Sequence, residues 1–222
     1  MTNPREDIFS RLNSARGTEL PQRPFVPPLS EISHDRDRMI RAFTDNLTAQ
    51  TAVVHHVADF AAAAEKLAEV VAAENIKSVV VSSDAVIRKL DLPEWGRKHN
   101  LTVLQAEDCT GREHFKNMVF AEADAAITGA DFAIAESGTL CLIHDKDQPR
   151  LISLAPIMHI ALVPLERLFP VYESAIDRIF GDPHNVPSHV TFITGPSMTA
   201  DIQGVPFKGM HGPKKLTVIL IG

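Results

Sequence analysis

The sequence predicts an α/β protein with a Rossmann-like, doubly wound and mostly parallel sheet, preceded by an N-terminal helical arm. Three observations predict it. From Thr51 onward, short apolar or β-branched runs alternate with segments of helical period, which is the rhythm of βαβ units. Several of these runs, such as Ser78–Ser82, are apolar without alternation, as strands covered on both faces require. Hydrophobic residues make up 45% of the 222, enough for one large core that needs no disulfide staples.

The arm comes first. Asn3 can cap a helix, Pro4 suits its first turn, and Glu6 completes a box-like pattern. Ile8, Phe9 and Leu12 then share a face, and Gly17 can end the helix. The stretch Glu19–Pro28 holds Pro21, Pro24, Pro27 and Pro28 and reads as a stiff spacer. A second helix is expected over Ser33–Thr48, with Met39, Ile40, Phe43 and Leu47 as its stripe. Residues 1–50 are therefore assigned to the arm and 51–222 to the α/β domain.

Within the domain, Thr51–His55 predicts a strand, and Asp59 can cap a helix running to Glu74. Ser78–Ser82 and Leu101–Gln105 predict strands, with helical segments at Ala85–Leu90 and Pro93–His99 between them and at Gly111–Val119 after them. Further strands are expected at Ala125–Thr128, Phe132–Ala135, Thr139–His144, Ile157–Val163, Val190–Ile193 and Leu216–Ile221. One long helix is expected over Leu165–Phe180, followed by a loop through Asp182, Pro183, Pro187 and Ser188.

Composition excludes several classes. With 22 Lys+Arg against 28 Asp+Glu, the chain lacks the overall basic footprint of a duplex nucleic-acid binder. Two cysteines, Cys109 and Cys141, cannot form a four-thiolate zinc or iron–sulfur site. The N-terminus has no apolar secretory region, and the longest charge-free apolar stretch, Leu151–Leu165, is too short for a bilayer. The expectation is a soluble protein of a reducing cytoplasm, with no membrane or nucleic-acid partner.

Three stretches can carry chemistry. The first, Ile127–Leu140, contains two turns, at Thr128-Gly129-Ala130-Asp131 and at Glu136-Ser137-Gly138-Thr139. Breaks of this kind at strand ends are where open sheets bind ligands. Glu136 there can act as base, nucleophile or hydroxyl acceptor, or it and Asp131 can simply cap turns. The second, Gly195–Asp201, offers close backbone approach at Gly195 and short polar groups at Ser197, Thr199 and Asp201, ahead of a weak helical turn. The third, Gly209–Lys215, places His211 beside glycines and offers Lys214 to a carboxylate or phosphate. For these two stretches the alternative is a capped turn and a tight turn with surface lysines. Arg150 can hold an anion or make a surface ion pair, and His159 reads as a core histidine. The adjacent His55 and His56 point to opposite faces of a strand and cannot chelate together. Dinucleotide, P-loop and nucleophile-elbow fingerprints are missing from the sequence.

In order, Thr128–Asp131, Ile134–Thr139, Pro149-Arg150-Leu151, Gly195-Pro196-Ser197, Thr199–Ile202 and His211-Gly212-Pro213 resemble the LUD-domain family, in its lactate utilization protein C branch. The resemblance implies a fold like that of the sugar-phosphate isomerase, CoA-transferase and formyltetrahydrofolate cyclo-ligase superfamily. It implies a cluster-free component of an L-lactate to pyruvate oxidation system. Iron–sulfur clusters would then sit only in partner proteins, and this chain would carry no cofactor of its own. Glu136 and His211 are the candidate catalytic residues. Thr128, Gly129, Asp131, Ser137, Gly138, Thr139, Arg150, Gly195, Ser197, Thr199, Asp201 and Lys214 are the candidates for binding a small anionic ligand at a sheet-end cleft. The departures are Ser137 where the family usually has threonine, Met198 where it often has arginine, and Gln203 where an acidic residue is common. Two other readings stand beside this one: an acyl or CoA transferase-like or ligase-like enzyme using Glu136, and a non-catalytic assembly or regulatory subunit. The apolar face of the arm adds the expectation of association, with a partner or as a homo-oligomer.

Overall fold

A computed structural model describes residues 3–15, 33–182, 184–199 and 207–222. The chain divides into two units, Met1–Ile32 and Ser33–Gly222. In the first, α1 (Pro4–Ala15) begins where Asn3 Oδ1 accepts the Arg5 amide at 3.1 Å. Ile8, Phe9 and Leu12 are exposed along it. The expected spacer Glu19–Pro28 lies outside the described residues.

The second unit opens with α2 (Arg36–Ala49), β1 (Val53–Val57), α3 (Phe60–Ala73), β2 (Ser78–Val81), α4 (Leu92–Lys98), β3 (Thr102–Gln105), α5 (Arg112–Asn117) and β4 (Ala125–Gly129). It continues with β5 (Phe132–Ile134), β6 (Thr139–Ile143), α6 (Arg150–Leu154), β7 (Met158–Pro164), β8 (Leu168–Phe169), α7 (Tyr172–Phe180), β9 (Val190–Ile193), β10 (Met198–Thr199), β11 (Phe207–Lys208) and β12 (Lys215–Ile221). Asp35 and Asp59 cap α2 and α3, accepting the amides three residues on at 2.8 Å each.

The parallel sheet read from the sequence is present. Six strands in the order β1-β12-β7-β4-β2-β3 pair in parallel throughout. One face packs Val79, Val81, Ile127, Ile160, Leu162 and Ile219 against Leu67, Val70 and Val71 of α3 and Trp95 of α4. The other face has two different covers. Val80 and Ala126 meet Ile152 of α6 and Met118 and Val119 of a one-turn π-helical segment. Ala161, Val163, Val218 and Leu220 instead meet Leu140 and Leu142 of β6 and Phe43 and Leu47 of α2. Strand β6 belongs to a second, four-stranded sheet of order β8-β5-β6-β9, laid over that half of the face.

Four local features differ from the sequence reading. The helix expected over Leu165–Phe180 is a 3₁₀ turn at Leu165–Arg167, then β8 paired with β5, then α7 from Tyr172 only. Pro170 has no amide and would clash with the preceding turn inside a helix, so the helix starts beyond it. Short strands that were not expected, β10 and β11, pair antiparallel, while the weak helical turn expected after Asp201 falls outside the described residues. Helix α6 was hidden inside an apolar run. Helix α2, assigned to the arm, packs with fully buried Phe43 and Leu47 into a unit that begins at Ser33. Each of those side chains contributes about 1.5–3 kcal/mol by burial.

Candidate functional site

The cover of the main sheet changes from α6 to the second sheet, and a cleft of about 220 Å³ lies there. Ser153 and Leu154 come from α6, and Thr191–Gly195 from β9 and the loop after it. His159 and Leu216 come from the amino ends of β7 and β12, which stand in register with each other. Ser197 and the His211–Pro213 turn complete the lining, held together by the Ser197 amide donating to Pro213 O at 2.8 Å. Among the described lining residues there is no lysine, arginine or carboxylate.

Two threonine–histidine pairs belong to this region. Thr128 Oγ1 lies 2.8 Å from His159 Nε2, and His159 is fully buried. Burial pushes the His159 pKa down to about 4, so the ring is neutral at pH 7. Its Nδ1 has no partner. Thr191 Oγ1 lies 2.7 Å from His144 Nε2, and His144 Nδ1 lies 3.1 Å from Gln148 O. Burial also lowers the His144 pKa, and the charges of Arg150 and His189 act in the same direction.

The predicted residues distribute as follows. Gly195, Ser197 and His211 line the cleft together. Thr128 touches it through His159. Ser137 and Thr139 reach it through a hydroxyl chain, with Ser137 Oγ 2.8 Å from Thr139 Oγ1 and the latter 2.9 Å from Thr194 Oγ1. Glu136 is exposed and outside the lining; its Oε1 accepts the Tyr172 amide at 2.6 Å, at the start of α7. Gly138 takes φ +62° and sits under α2, where a Cβ would come within 2.6 Å of the Leu47 nitrogen. The Gly129 amide donates to Asp84 Oδ2 at 2.9 Å. Asp131 accepts the Ile143 amide at 2.7 Å and Gln148 Nε2 at 3.2 Å, and burial raises its pKa. Arg150 is exposed at the start of α6, and Thr199 pairs with Phe207 in the β10–β11 ribbon. Lys214 lines a neighbouring groove with Lys208 and Lys215. Asp201 and Gln203 lie outside the described residues.

Sequence reasoning passed over Ser153, His144, Thr191 and Thr194, and it read His159 as core only. His144 and Thr191 are far apart in sequence and meet only because β6 and β9 pair antiparallel. The usable signal was a polar residue at each end of two otherwise apolar strand runs.

A parallel α/β body with a second sheet over half of one face, and an uncharged hydroxyl- and imidazole-lined cleft beside it, defines an α/β domain with a site sized for a small molecule. The LUD domain matches residues 40–221, and the chain belongs to the LUD domain family. It is similar to lactate utilization protein C of Oceanobacillus iheyensis, 44% identical over 110 residues that cover 48% of this chain and 47% of that protein. The same-named protein of Anoxybacillus flavithermus is 36% identical over 158 residues, 71% of this chain and 69% of that protein. That of Bacillus subtilis is 40% identical over 114 residues, 50% of this chain and 47% of that protein. The chain thus spans about half the length of two of these relatives. A crystal structure of a DUF162 family protein from Deinococcus radiodurans matches with TM-score 0.57 and 26% identity, covering 88% of this chain and 100% of that one. Among the described residues, no helix is long and apolar enough to cross a membrane.

Proposed function

We propose that this chain is the cluster-free component of an L-lactate utilization system, working beside iron–sulfur partner proteins that oxidise L-lactate to pyruvate, and that its cleft binds a small anionic ligand. Family membership and the names of the relatives support the system. The observation that carries the ligand is the convergence of the Gly195 and His211 loops on one cleft. Its lining meets a single negative charge with the Ser197 hydroxyl and the exposed His211 imidazole. A polyphosphate would find no fixed cation among the described lining residues.

The thiols support a cluster-free role. Burial pushes the Cys141 thiol up to about 12, and burial with nearby carboxylates raises Cys109. Neither is disposed to be a thiolate ligand, and two cannot supply four. The iron–sulfur partners would supply the electron transfer, while this chain binds and orients. The transferase-like reading draws less support, because one Glu136 oxygen is engaged by the Tyr172 amide outside the cleft.

The test is calorimetric titration of the purified chain with L-lactate and with pyruvate, followed by lactate-dependent dye reduction with partner proteins, with and without this chain. Saturable binding, weakened about tenfold or more in His211→Ala, and loss of turnover on omission are expected. Co-purification with unchanged turnover on omission would assign it an assembly role instead.

A further inference from the structure

We infer that Thr191 faces the cleft as a hydrogen-bond acceptor, because His144 holds its hydroxyl proton, and that the cleft therefore selects a 2-hydroxy carboxylate over the corresponding 2-keto carboxylate. The inference rests on the reading that the cleft takes a small carboxylate.

The geometry begins with strand register. Leu140 pairs with Ile193 and Leu142 with Thr191 across β6 and β9. Leu140 and Leu142 pack toward the main sheet, so Thr191 shares that inward face and lines the cleft. His144 follows two residues after Leu142. Its Nδ1 lies 3.1 Å from Gln148 O, and a carbonyl can only accept, so Nδ1 carries the proton. A neutral imidazole has one N–H, so Nε2 is a lone pair. Thr191 Oγ1, 2.7 Å away, must be the donor.

A hydroxyl has one proton and two lone pairs. With the proton committed to His144, only lone pairs remain for a ligand. The hydroxyl of a 2-hydroxy acid donates to them, whereas a keto oxygen opposes lone pair to lone pair. A site that hydrogen-bonds a substrate hydroxyl rejects the analogue that lacks it, because its own polar group is left unpaired. His144 acts through Thr191 and is a positioning residue.

Protonation reverses the polarity. An imidazolium donates from Nε2 to Thr191, which frees the threonine proton for the ligand. The groups facing His144 are Arg150 and His189, which oppose its protonation, Asp145, which favours it, and the Gln148 carbonyl. The switch therefore falls on the acid side of the ordinary histidine pKa, and the hydroxy-acid preference fades there.

Two measurements on the full chain decide it. In ¹⁵N NMR of histidine-labelled protein at about pH 7.5, His144 should be the Nδ1–H tautomer, with its Nε2 resonance moving in Thr191→Val. The Nε2–H tautomer overturns the inference whatever the ligand does. Calorimetry with L-lactate and pyruvate should give at least a tenfold preference for lactate, kept in Thr191→Ser, collapsed toward unity in Thr191→Val, and lost on acidification in wild type and Thr191→Ser alike. Binding without preference, or a preference unchanged in Thr191→Val, overturns this inference and leaves the ligand reading standing. If neither acid binds wild type, the ligand reading itself fails and takes this one with it.

Discussion

Replacing His159 by glutamine should flatten the acid arm of the stability curve. The folded imidazole is fully buried, and burial lowers its pKa from 6.5 to about 4. In the unfolded chain it titrates near 6.5. Between those values the unfolded state binds more protons, so folding stability falls as pH drops through the window. The contribution is fully present above about pH 6.5 and is exhausted below about pH 4. The gap is 6.5 − 4, about 2.5 units, and at 1.36 kcal/mol per unit it amounts to about 3 kcal/mol. Urea unfolding at about pH 7.5 and about pH 4.5 measures the loss in each protein. Wild type should lose about 2–3 kcal/mol more than His159→Gln across that interval. His144 and His55, whose pKa values burial also lowers, remain in both proteins and cancel. Glutamine can still bond the Thr128 hydroxyl, so the comparison concerns the titration. Parallel curves would show that His159 is not held neutral by burial.

Three further outcomes are expected. Gly138→Ala places a side chain at φ +62° and 2.6 Å from the Leu47 nitrogen, and should lower the urea-unfolding free energy by about 2–4 kcal/mol; a cost below about 1 kcal/mol would mean α2 yields at that contact. Glu136→Gln removes a charge at the start of α7 but keeps an acceptor for the Tyr172 amide, so thermal unfolding should shift by less than about 1 kcal/mol and calorimetric lactate binding should not change. A tenfold loss of that binding would bring Glu136 into the site after all. Phe43→Ala empties a fully buried position between α2 and the main sheet, and should cost about 3–5 kcal/mol by equilibrium unfolding.

The main sheet was legible because its strands are covered on both faces. Runs such as Ser78–Val81 and Leu216–Ile221 carry their apolar content without alternation, and the helix capped by Asp59 announces itself at the cap. Three strands of the second sheet were legible, β5, β6 and β9, but β8 was read as helix and the layer was not seen. Pairing between β6 and β9 joins residues about fifty positions apart, and nothing local specifies it. The same fact hid the Thr191–His144 pair. Loops flanked by glycine were readable as special turns, and Gly195 and His211 do share a cleft. Glu136 drew attention by its charge among small residues, a pattern that a helix-capping carboxylate produces equally well.

Why the cleft lies at the amino ends of β7 and β12 follows from hydrogen-bond accounting. Open α/β sheets usually collect ligands beyond the carboxyl ends of their strands. Here the polar groups at the carboxyl ends of β2 and β4 are already engaged. Asp84 accepts the amides of Val86 and Gly129 at 2.8 and 2.9 Å, Asp131 accepts the Ile143 amide, and Arg167 donates to Ala130 O at 2.8 Å. A ligand there would have to displace partners already made. At the amino ends, α6 stops at Leu154 and the second sheet takes over as cover, and neither cover pairs the His159 Nδ1. Among the described residues it is the one buried side-chain polar atom without a partner. Leaving such an atom unpaired costs about 1–3 kcal/mol. The fold therefore keeps its unspent hydrogen-bonding capacity beside the cleft, where the Gly195 and His211 loops also meet.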